Sequence, residues 1–376
     1  MKNIITAESV CQGHPDKLCD IIADEILDAC LEVDPQTRCA CEIMATEGKI
    51  IVAGEITCKE NIDYESVVRN AVKNVGYDID KYAIEILIHE QSKDIDGGVT
   101  KENDEIGAGD QGVVYGYACD ETKEMLPLPV VLANNVTKYI DSVRKYGKFQ
   151  GLKPDGKCLV GVEYKDGKPM RIDSIVISMQ HDENITAYNL KSFFDFGIIP
   201  NVFNEFRPDK DTKILINPSG RFVIGGPEGD TGLTGRKLMC DTYGGSAHHG
   251  GGAFSGKDAT KIDRSAAYYA RYVAKNIIAG GIAKRCEVCI TYAIGEENPV
   301  SVQIDTFGTG IIDDEKIQKA VLSVFDFRPK AIIEQLNLRS PVYILTTCYG
   351  HFGKDELPYE RCDKASELKE AINNGK

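Results

Sequence analysis

The order of helical and strand-like patterns recurs three times along the chain, and this recurrence constrains the fold more than any other feature. In the first copy, apolar residues at helical spacing predict the helix Pro15–Val33, with a proline at its first position. Two β-rich runs, Arg38–Thr46 and Lys49–Thr57, are separated by a tight glycine-containing step and predict a hairpin. A second helix ends at Gly76, and a strand at 84–88 closes the unit.

The same order returns in the middle of the chain and again near its end. The middle copy is predicted to consist of a helix at 128–146, a hairpin at 158–179, a helix at 187–196 and a strand at 214–217. The last copy is predicted to consist of a helix at 263–279, paired strands at 286–294 and 300–307, a helix at 315–325 and a strand at 342–347. Three copies of an α-β-β-α-β unit predict the α+β class, with helices packed against mixed or antiparallel sheets.

Glycine-rich stretches separate the three units and suggest the domain boundaries. The first of these, 91–112, has almost no apolar periodicity, which is typical either of a linker or of a mobile lid over a site. The predicted division is an N-terminal domain at 1–93, a lid loop at 94–107, a central domain at 108–224 and a C-terminal domain at 225–376.

The charge balance argues against general nucleic-acid binding. The chain has 44 basic and 58 acidic residues, and its net charge of -14 would repel a phosphate backbone over most of the surface. Any phosphate-bearing ligand must therefore be bound by local clusters of Lys, Arg and backbone N–H groups.

Composition also bears on cellular location. The 13 cysteines lack the regular close spacing of a disulfide framework, and Cys286 and Cys289 have no second pair to complete a zinc site. The first ten residues lack the apolar core of a signal peptide, and no uncharged apolar run reaches the roughly 18 residues of a membrane span. We expect a cytoplasmic protein with reduced thiols and no membrane partner.

Two glycine-rich segments carry the chemistry. The first, 225–237, lets backbone amides approach an anion and ends in Arg236 and Lys237, and the second, 244–257, repeats the combination with Lys257. Two such loops predict a triphosphate cradle, although a solvated loop is the simpler alternative for each. The second nearly matches a P-loop, but Asp258 stands where a Ser or Thr must hold Mg²⁺.

Polar residues next to these loops and at the first helix are candidates for the same chemistry. Lys261 lies where it would clamp phosphate oxygens, and Asp263 at a helix start where it would bind a hard cation, although they also fit a surface charge and an ordinary cap. His14 and Asp16 lie at the start of Pro15–Val33, where a helix attracts anions. Taken alone, Asp16 is more simply interpreted as complementing the helix dipole.

Four motifs together resemble those of the methionine adenosyltransferases. They are 13–17 (GHPDK), 107–112 (GAGDQG), 225–237 (GGPEGDTGLTGRK) and 250–257 (GGGAFSGK). The resemblance extends from Glu8 to about Asp363 and implies three similar domains about a pseudo-threefold axis. It also implies two reactions at one site: methionine sulfur attacks ribose C5′ of ATP and expels triphosphate, which is then hydrolysed to phosphate and pyrophosphate.

The resemblance assigns roles residue by residue. The implied catalytic residues are His14, Lys157, Arg236, Lys257 and Lys261. ATP contacts are implied for these and for Asp155, Arg221, Phe222, Asp230, Lys237 and Ala253. Methionine contacts are implied for Glu55, Gln91, Asp110, Asp230 and Lys261. The implied cofactors are Mg²⁺, about two per site, at Asp16 and Asp263, and K⁺ at Glu42.

The resemblance further implies a homo-oligomer, a dimer of dimers whose active sites lie at subunit interfaces. His14 and Asp16 are expected to face the glycine loops of the partner chain. The sequence departs from the family's pattern at His248, where bacterial members carry Arg, and at Gln12 and Ile106. Two other functions stay open from the residues: an ATP-dependent ligase or kinase, which yields AMP or ADP, and a non-catalytic nucleotide sensor.

Overall fold

The computed structural model describes residues 3–90 and 106–374 as a mixture of helices and sheets. Its strands are β1 Asn3–Val10, β2 Arg38–Thr46, β3 Lys49–Thr57, β4 Ala83–His89, β5 Gly112–Cys119, β6 Leu152–Lys165, β7 Lys168–His181, β8 Lys213–Ile216, β9 Gly232–Leu233, β10 Arg285–Tyr292 and β11 Ser301–Asp305. Its α-helices are α1 Pro15–Val33, α2 Tyr64–Val75, α3 Leu128–Lys145, α4 Ala187–Phe193, α5 Ile199–Val202, α6 Leu238–Asp241, α7 Ile262–Ala279, α8 Asp314–Val324, α9 Pro329–Gln335, α10 Tyr343–Thr347 and α11 Ala365–Asn374.

The α+β class is confirmed, and the described strands form three sheets, each built around one of the recurring hairpins. The sheet orders are β9-β2-β3-β4, β1-β6-β7-β8 and β5-β10-β11. In the first two sheets the hairpin strands are antiparallel and the last strand joins in parallel. Local signals account for these elements: Gly76 ends α2 in the left-handed conformation, and two-residue turns close the β2–β3 and β6–β7 hairpins.

The three units exchange strands in a cycle that the sequence patterns did not predict. β1 precedes the helix of the first unit but pairs with β6 of the second. β5 precedes the helix of the second unit but pairs with β10 of the third, and β9 precedes the helix of the third but pairs with β2 of the first. The long helices α1, α3 and α7 each pack across such a pair of strands. Every unit therefore depends on another for its sheet.

The predicted strand at 342–347 is wrong, because this segment forms the helix α10 and the third sheet has no fourth strand among the described residues. Distant side chains stabilise the helix at both ends. Asp28 of α1 accepts the Tyr343 and Ile344 N–H groups at 3.0 and 2.8 Å. Lys354 Nζ donates to the carbonyls of Leu345, Thr346 and Cys348, each at 2.8 Å. This capping outweighs the β propensity of the segment's Val, Ile and Thr residues.

Buried apolar side chains form two clusters. One joins the first and third units, and the other fills the middle unit between α3 and its sheet. α1 is buried on almost every side, which makes it the rigid element on which the loops beside it rest. None of the helices in the described ranges is long and apolar enough to cross a membrane.

Candidate active site

His14 lies at the N-cap of α1 and is held there as a neutral donor. Its Nδ1 accepts the backbone N–H of Asp16 at 3.2 Å, which leaves the ring proton on Nε2. Burial, with the charge of Lys237 next in size, lowers the pKa of His14 to about 3. At neutral pH the group offers an uncharged N–H at a helix N-terminus, where an anion is favoured.

Asp16 anchors the first glycine loop to the same helix. Its Oδ1 accepts the N–H of Leu233 at 3.0 Å, and its Oδ2 lies 2.6 Å from Lys237 Nζ. Burial raises the pKa of this carboxyl, but the hydrogen bonds from Lys237 and Leu233 outweigh it and leave the pKa below its ordinary value. Asp16 therefore stays ionised. Arg236 Nε lies 3.7 Å from Asp16 Oδ1, with its side chain half exposed.

Further residues that are predicted to contact the nucleotide lie on or beside the middle sheet, close to His14 and the first glycine loop. Lys157 on β6 pairs with Glu8 on β1 at 2.5 Å, and its charge also acts on His14. Asp155 is buried and accepts the N–H of Gly226 at 2.8 Å. Burial raises the pKa of Asp155 to about 6. Phe222 approaches the same loop, because a Cβ added at Gly225 would lie 2.8 Å from its ring and 3.1 Å from Asp155 Oδ2.

A second cluster surrounds the start of α7. Lys257 Nζ lies 2.7 Å from Asp263 Oδ2, and Lys261 Nζ lies 3.4 Å from the buried Asp258. Gly252 packs directly on Asp263, since an added Cβ would lie 2.3 Å from the carboxyl carbon. The glycine at 252 thus lets this loop approach the Asp263 carboxylate closely.

The edge of β2 holds both clusters in one chain. β9 pairs with Met44 and Ala45, while Lys257 forms a bridge to Ala40 farther along the same strand. The His14 cluster consists of His14, Asp16, Lys157, Arg236 and Lys237, and the Lys257 cluster of Lys257, Lys261 and Asp263. In the described part of the chain, no hydrogen bond or ion pair joins the side chains of one cluster to those of the other. The chain thus presents two groups of cations, one at each glycine loop.

The first glycine loop, 225–237, also lies against the start of α1 of its own chain. Leu233 N–H and Lys237 Nζ contact Asp16 there, and the expectation that His14 and Asp16 face the glycine loops of a partner chain stays a prediction. The physical reason for the contact within the chain is the pairing of β9 with β2, which folds the first loop back over the start of α1.

Glu42, the predicted potassium ligand, and Glu55, a predicted methionine contact, lie on the outer face of the first sheet. Glu42 pairs in register with Ala53, and Ala53 with Leu87, while Glu55 pairs with Ala40. Glu55 Oε1 lies 3.2 Å from His89 Nε2. Leu87 is 51% exposed, so this face of the sheet carries bare apolar surface beside both carboxylates.

The remaining predicted contacts lie at the margins of the two clusters. Asp230 and Asp110 are exposed, and Asp110 lies two residues before Gly112, which approaches Asp263. Arg221 pairs outward with Glu183. Ala253 packs against Gly235, where an added Cβ would lie 2.4 Å away, so the two glycine loops touch at this point. Gln91 and most of the lid segment 94–107 lie outside the described residues.

Sequence reasoning missed the aspartates that follow Asp16 along α1. Asp20 Oδ1 accepts the N–H of Gly235 at 2.9 Å, and Asp24 Oδ1 accepts that of Gly256 at 2.9 Å. Asp24 also forms a two-pronged pair with the buried Arg264 at 2.7 and 2.8 Å. The available signal was aspartate at every fourth position of a helix that is otherwise largely apolar, which places carboxylates on a buried face.

The donor set is compatible with magnesium that is bound together with phosphate. No group of three or more His, Cys, Asp or Glu side chains is arranged around a metal position within residues 3–90 and 106–374. Magnesium in proteins commonly takes one or two carboxylates and completes its shell with substrate phosphates and water. Asp16 and Asp263, each beside a lysine, fit that requirement.

Comparison with known proteins decides the family. The models for the S-adenosylmethionine synthetase N-terminal, central and C-terminal domains match residues 2–94, 105–222 and 224–361. The chain is 48% identical to the S-adenosylmethionine synthase of Desulforudis audaxviator (strain MP104C), over 100% of both chains. It is 50% identical to that of Clostridium tetani (strain Massachusetts / E88), over 99% of this chain and 100% of the relative. The chain belongs to the S-adenosylmethionine synthetase family.

The structure shows the contacts made at the three positions where the chain departs from the family's pattern. The backbone N–H of His248 donates to Glu287 at 2.9 Å, and its ring Nδ1 lies 2.8 Å from the same carboxylate. The hydrogen bond and charge of Glu287 raise the pKa of His248. Gln12 N–H donates to the buried Asp141 at 2.8 Å, and Ile106 is buried in the larger core.

Proposed function

We propose that this chain is an ATP:L-methionine S-adenosyltransferase that releases triphosphate and then hydrolyses it to phosphate and pyrophosphate. The observation that carries the proposal is the group at the start of α1. There a neutral histidine N–H, an ionised aspartate and the cations of 236–237 converge on one helix N-terminus. Such a group suits a polyanionic leaving group better than a small neutral substrate.

Adenosyl transfer needs charge stabilisation rather than a base. The thioether sulfur of methionine attacks C5′ with its lone pair, the C5′–O bond breaks, and the electron pair leaves with the triphosphate. His14 Nε2–H would donate to the departing 5′ oxygen, while Lys157, Arg236 and Lys237 would neutralise the phosphate oxygens. Phe222 beside Asp155 is proposed to pack on the adenine ring.

Triphosphate hydrolysis is assigned to the second cluster. Lys257 and Lys261 would bind the terminal phosphates, and Asp263 would lie beside them at the start of α7. Magnesium held by Asp16 and Asp263 would neutralise phosphate charge when bound, and potassium is proposed near Glu42. Glu55, Gln91, Asp110, Asp230 and Lys261 are proposed as methionine contacts.

The bare apolar surface on the outer face of the first sheet favours an active site completed by a second copy of the chain. We infer a homodimer, and by family resemblance a dimer of dimers. The His14 cluster of one chain would meet Lys257, Lys261 and Asp263 of its partner across the bare outer sheet face. In this arrangement each chain contributes one half to each of two sites.

A product assay tests the proposed reaction. The protein is incubated with ATP, Mg²⁺ and K⁺, with and without L-methionine, and nucleotide and phosphate products are separated by chromatography. The expected result is S-adenosylmethionine with equal amounts of phosphate and pyrophosphate, formed only when methionine is present. ADP or AMP as the sole nucleotide product would instead identify a kinase or ligase, and the absence of any product would favour a nucleotide sensor.

A further inference from the structure

Two buried charged residues of α1 hold the segment that carries Arg236 and Lys237. Lys17 Nζ lies 2.8 Å from Asp20 Oδ2 and 2.6 Å from Asp241 Oδ1. Asp20 Oδ1 accepts the N–H of Gly235 at 2.9 Å. Lys17 is 2% exposed, Asp20 0% and Asp241 2%, so these bonds are shielded from water. Together they fix both ends of the segment 235–241.

The contacts of Lys17 and Asp20 with Gly235 and Asp241, here called the clamp, set where Arg236 and Lys237 lie relative to His14. Gly235 directly precedes Arg236, and Asp241 ends α6, which begins directly after Lys237. Lys237 in turn reaches Asp16, one helical turn before Asp20. Because α1 is rigid and rises about 6 Å per four residues, its capping histidine and the two ends of the segment are held in one fixed frame.

The energetics argue for a role beyond packing. Burying one ammonium and two carboxylates is unfavourable because each ion loses its hydration, and their mutual attraction offsets this loss only with good geometry. Apolar side chains of similar size would commonly stabilise a core as well or better. Unlike apolar side chains, these charged groups form directional contacts, which orient the Gly235 N–H and the end of α6.

We propose that Lys17 and Asp20 are positioning residues for adenosyl transfer, which hold 235–241 so that its cations meet the triphosphate while His14 meets the 5′ oxygen. This inference rests on the proposed function. Neither side chain is proposed to touch a substrate atom, and both act through Gly235 and Asp241. Misplacement of binding groups by about 1 Å commonly costs 10²-fold in rate, so the effect is measurable.

Two substitutions of Asp20 distinguish the effect of its hydrogen bond to the Gly235 N–H, the amide anchor, from the effect of its ion pair with Lys17. Asp20→Asn and Asp20→Leu have similar shapes and both remove the charge opposite Lys17, but only Asn keeps an oxygen that accepts the Gly235 N–H. We expect Asp20→Asn to keep kcat within about threefold and Asp20→Leu to lower it roughly 10²-fold, with the KM for ATP and methionine within about threefold in both.

The same helix offers a matched control. Asp28 also accepts two backbone N–H groups, but they belong to α10, which carries none of the proposed site residues. Asp28→Asn and Asp28→Leu, followed by thermal unfolding and kinetics, should show a lower melting temperature for Leu with kcat of the folded protein unchanged. An equal kcat loss in Asp28→Leu and Asp20→Leu would overturn the proposal, because it would show a general effect of loosening the helix.

The remaining outcomes are also decisive. Equal kcat for Asp20→Asn and Asp20→Leu contradicts the amide anchor. If Asp20→Leu does not fold, Lys17→Met releases the Asp241 end and is expected to lower kcat about tenfold at unchanged KM, in line with misplaced cations. Wild-type kcat in Lys17→Met would then refute the clamp. A wild-type protein that forms no S-adenosylmethionine would refute the proposed function instead, so the two failures are distinguishable.

Discussion

At the scale of single residues, His14 shows how a site can set the protonation state of a side chain. Its Nδ1 is occupied by the backbone N–H of Asp16, and burial beside Lys237 keeps the ring neutral. The structure favours a neutral donor, so the stabilisation of the leaving oxygen would come from a directed N–H and from the neighbouring cations.

Replacement of His14 by Asn tests its role in adenosyl transfer. Asn keeps a donor of similar reach but not the position of Nε2–H. We expect S-adenosylmethionine formation to slow by roughly 10²–10⁴-fold, the range for a positioned acid or electrostatic donor. Hydrolysis of added tripolyphosphate, measured by phosphate release, should stay much closer to wild type because it depends on Lys257 and Lys261. A parallel fall of both rates, with ATP binding intact, would contradict a role specific to transfer.

The depressed pKa of His14 also predicts a pH dependence of stability. Its pKa is about 3 when folded and about 6.5 when unfolded, so below pH 6.5 the unfolded chain binds the proton more readily. The contribution is present above pH 6.5 and is lost as the pH falls toward 3. Between pH 7 and pH 5 this group alone should lower the free energy of unfolding by about 2 kcal/mol.

Urea unfolding at pH 7 and pH 5 measures this effect. The wild type should lose about 2 kcal/mol more than His14→Asn over that interval. His248→Asn serves as the control, because the His248 side chain is 73% exposed and its replacement should leave the acid-induced loss in place. Identical losses in wild type and His14→Asn would show that His14 is not held neutral by the fold.

At the scale of elements, close packing places α7 and with it Lys261 and Asp263. Gly116 on β5 lies against the backbone of α7, where an added Cβ would be 2.1 Å from the carbonyl carbon of Ala270. Only glycine permits this approach. The exchanged strand β5 therefore positions the start of α7 as well as completing the third sheet.

Gly116→Ala should therefore push α7 away from its sheet. We expect a loss of about 3 kcal/mol or more in the free energy of unfolding, measured with denaturant, at the upper end of overpacking effects. Gly48→Ala is the matched control, since Gly48 has a positive φ of 69° but an added Cβ meets nothing within 4 Å. That variant should lose only about 1 kcal/mol, the cost of the left-handed conformation. Similar losses in the two variants would contradict the importance of the β5–α7 contact.

At the scale of the whole molecule, the proposed active site is completed by a second copy of the chain. The His14 cluster and the Lys257 cluster lie along the same edge of β2 but make no side-chain hydrogen bond or ion pair with each other in the described residues. The outer face of the same sheet leaves Leu87 bare next to Glu42 and Glu55. A second copy of the chain would cover that face and join opposite clusters.

Mixing two inactive variants tests this assembly. His14→Asn and Lys257→Ala are each expected to lose most activity alone. If the two residues act in different chains, half of randomly formed dimers contain both variants, and one of their two sites is wild type. Unfolding and refolding an equimolar mixture should then restore roughly a quarter of wild-type activity. No recovery, with heterodimers verified by mass spectrometry, would mean that both residues serve the same site within one chain.

The recurring patterns were sufficient for the three hairpins and for most of the helices. Amphipathic spacing and glycine turns predicted α1, α2, the β2–β3 hairpin and the β6–β7 hairpin, because these elements are specified by interactions within a few residues. The segment 342–347 was predicted wrongly because its helix depends on two residues outside the segment. Asp28 lies far away in sequence, and Lys354 follows the segment.

For the site, the sequence by itself determined which residues have the chemistry to bind a polyphosphate: the glycine loops, their terminal cations and the carboxylates at two helix starts. Their burial, protonation and partners were decided only by the tertiary structure. β1, β5 and β9 cross between units, and the aspartates of α1 hold loops that lie more than 200 residues away, as Asp20 does with Gly235 at 2.9 Å. Local patterns report the propensity of a segment, whereas these contacts exist only once the three units have closed around one another.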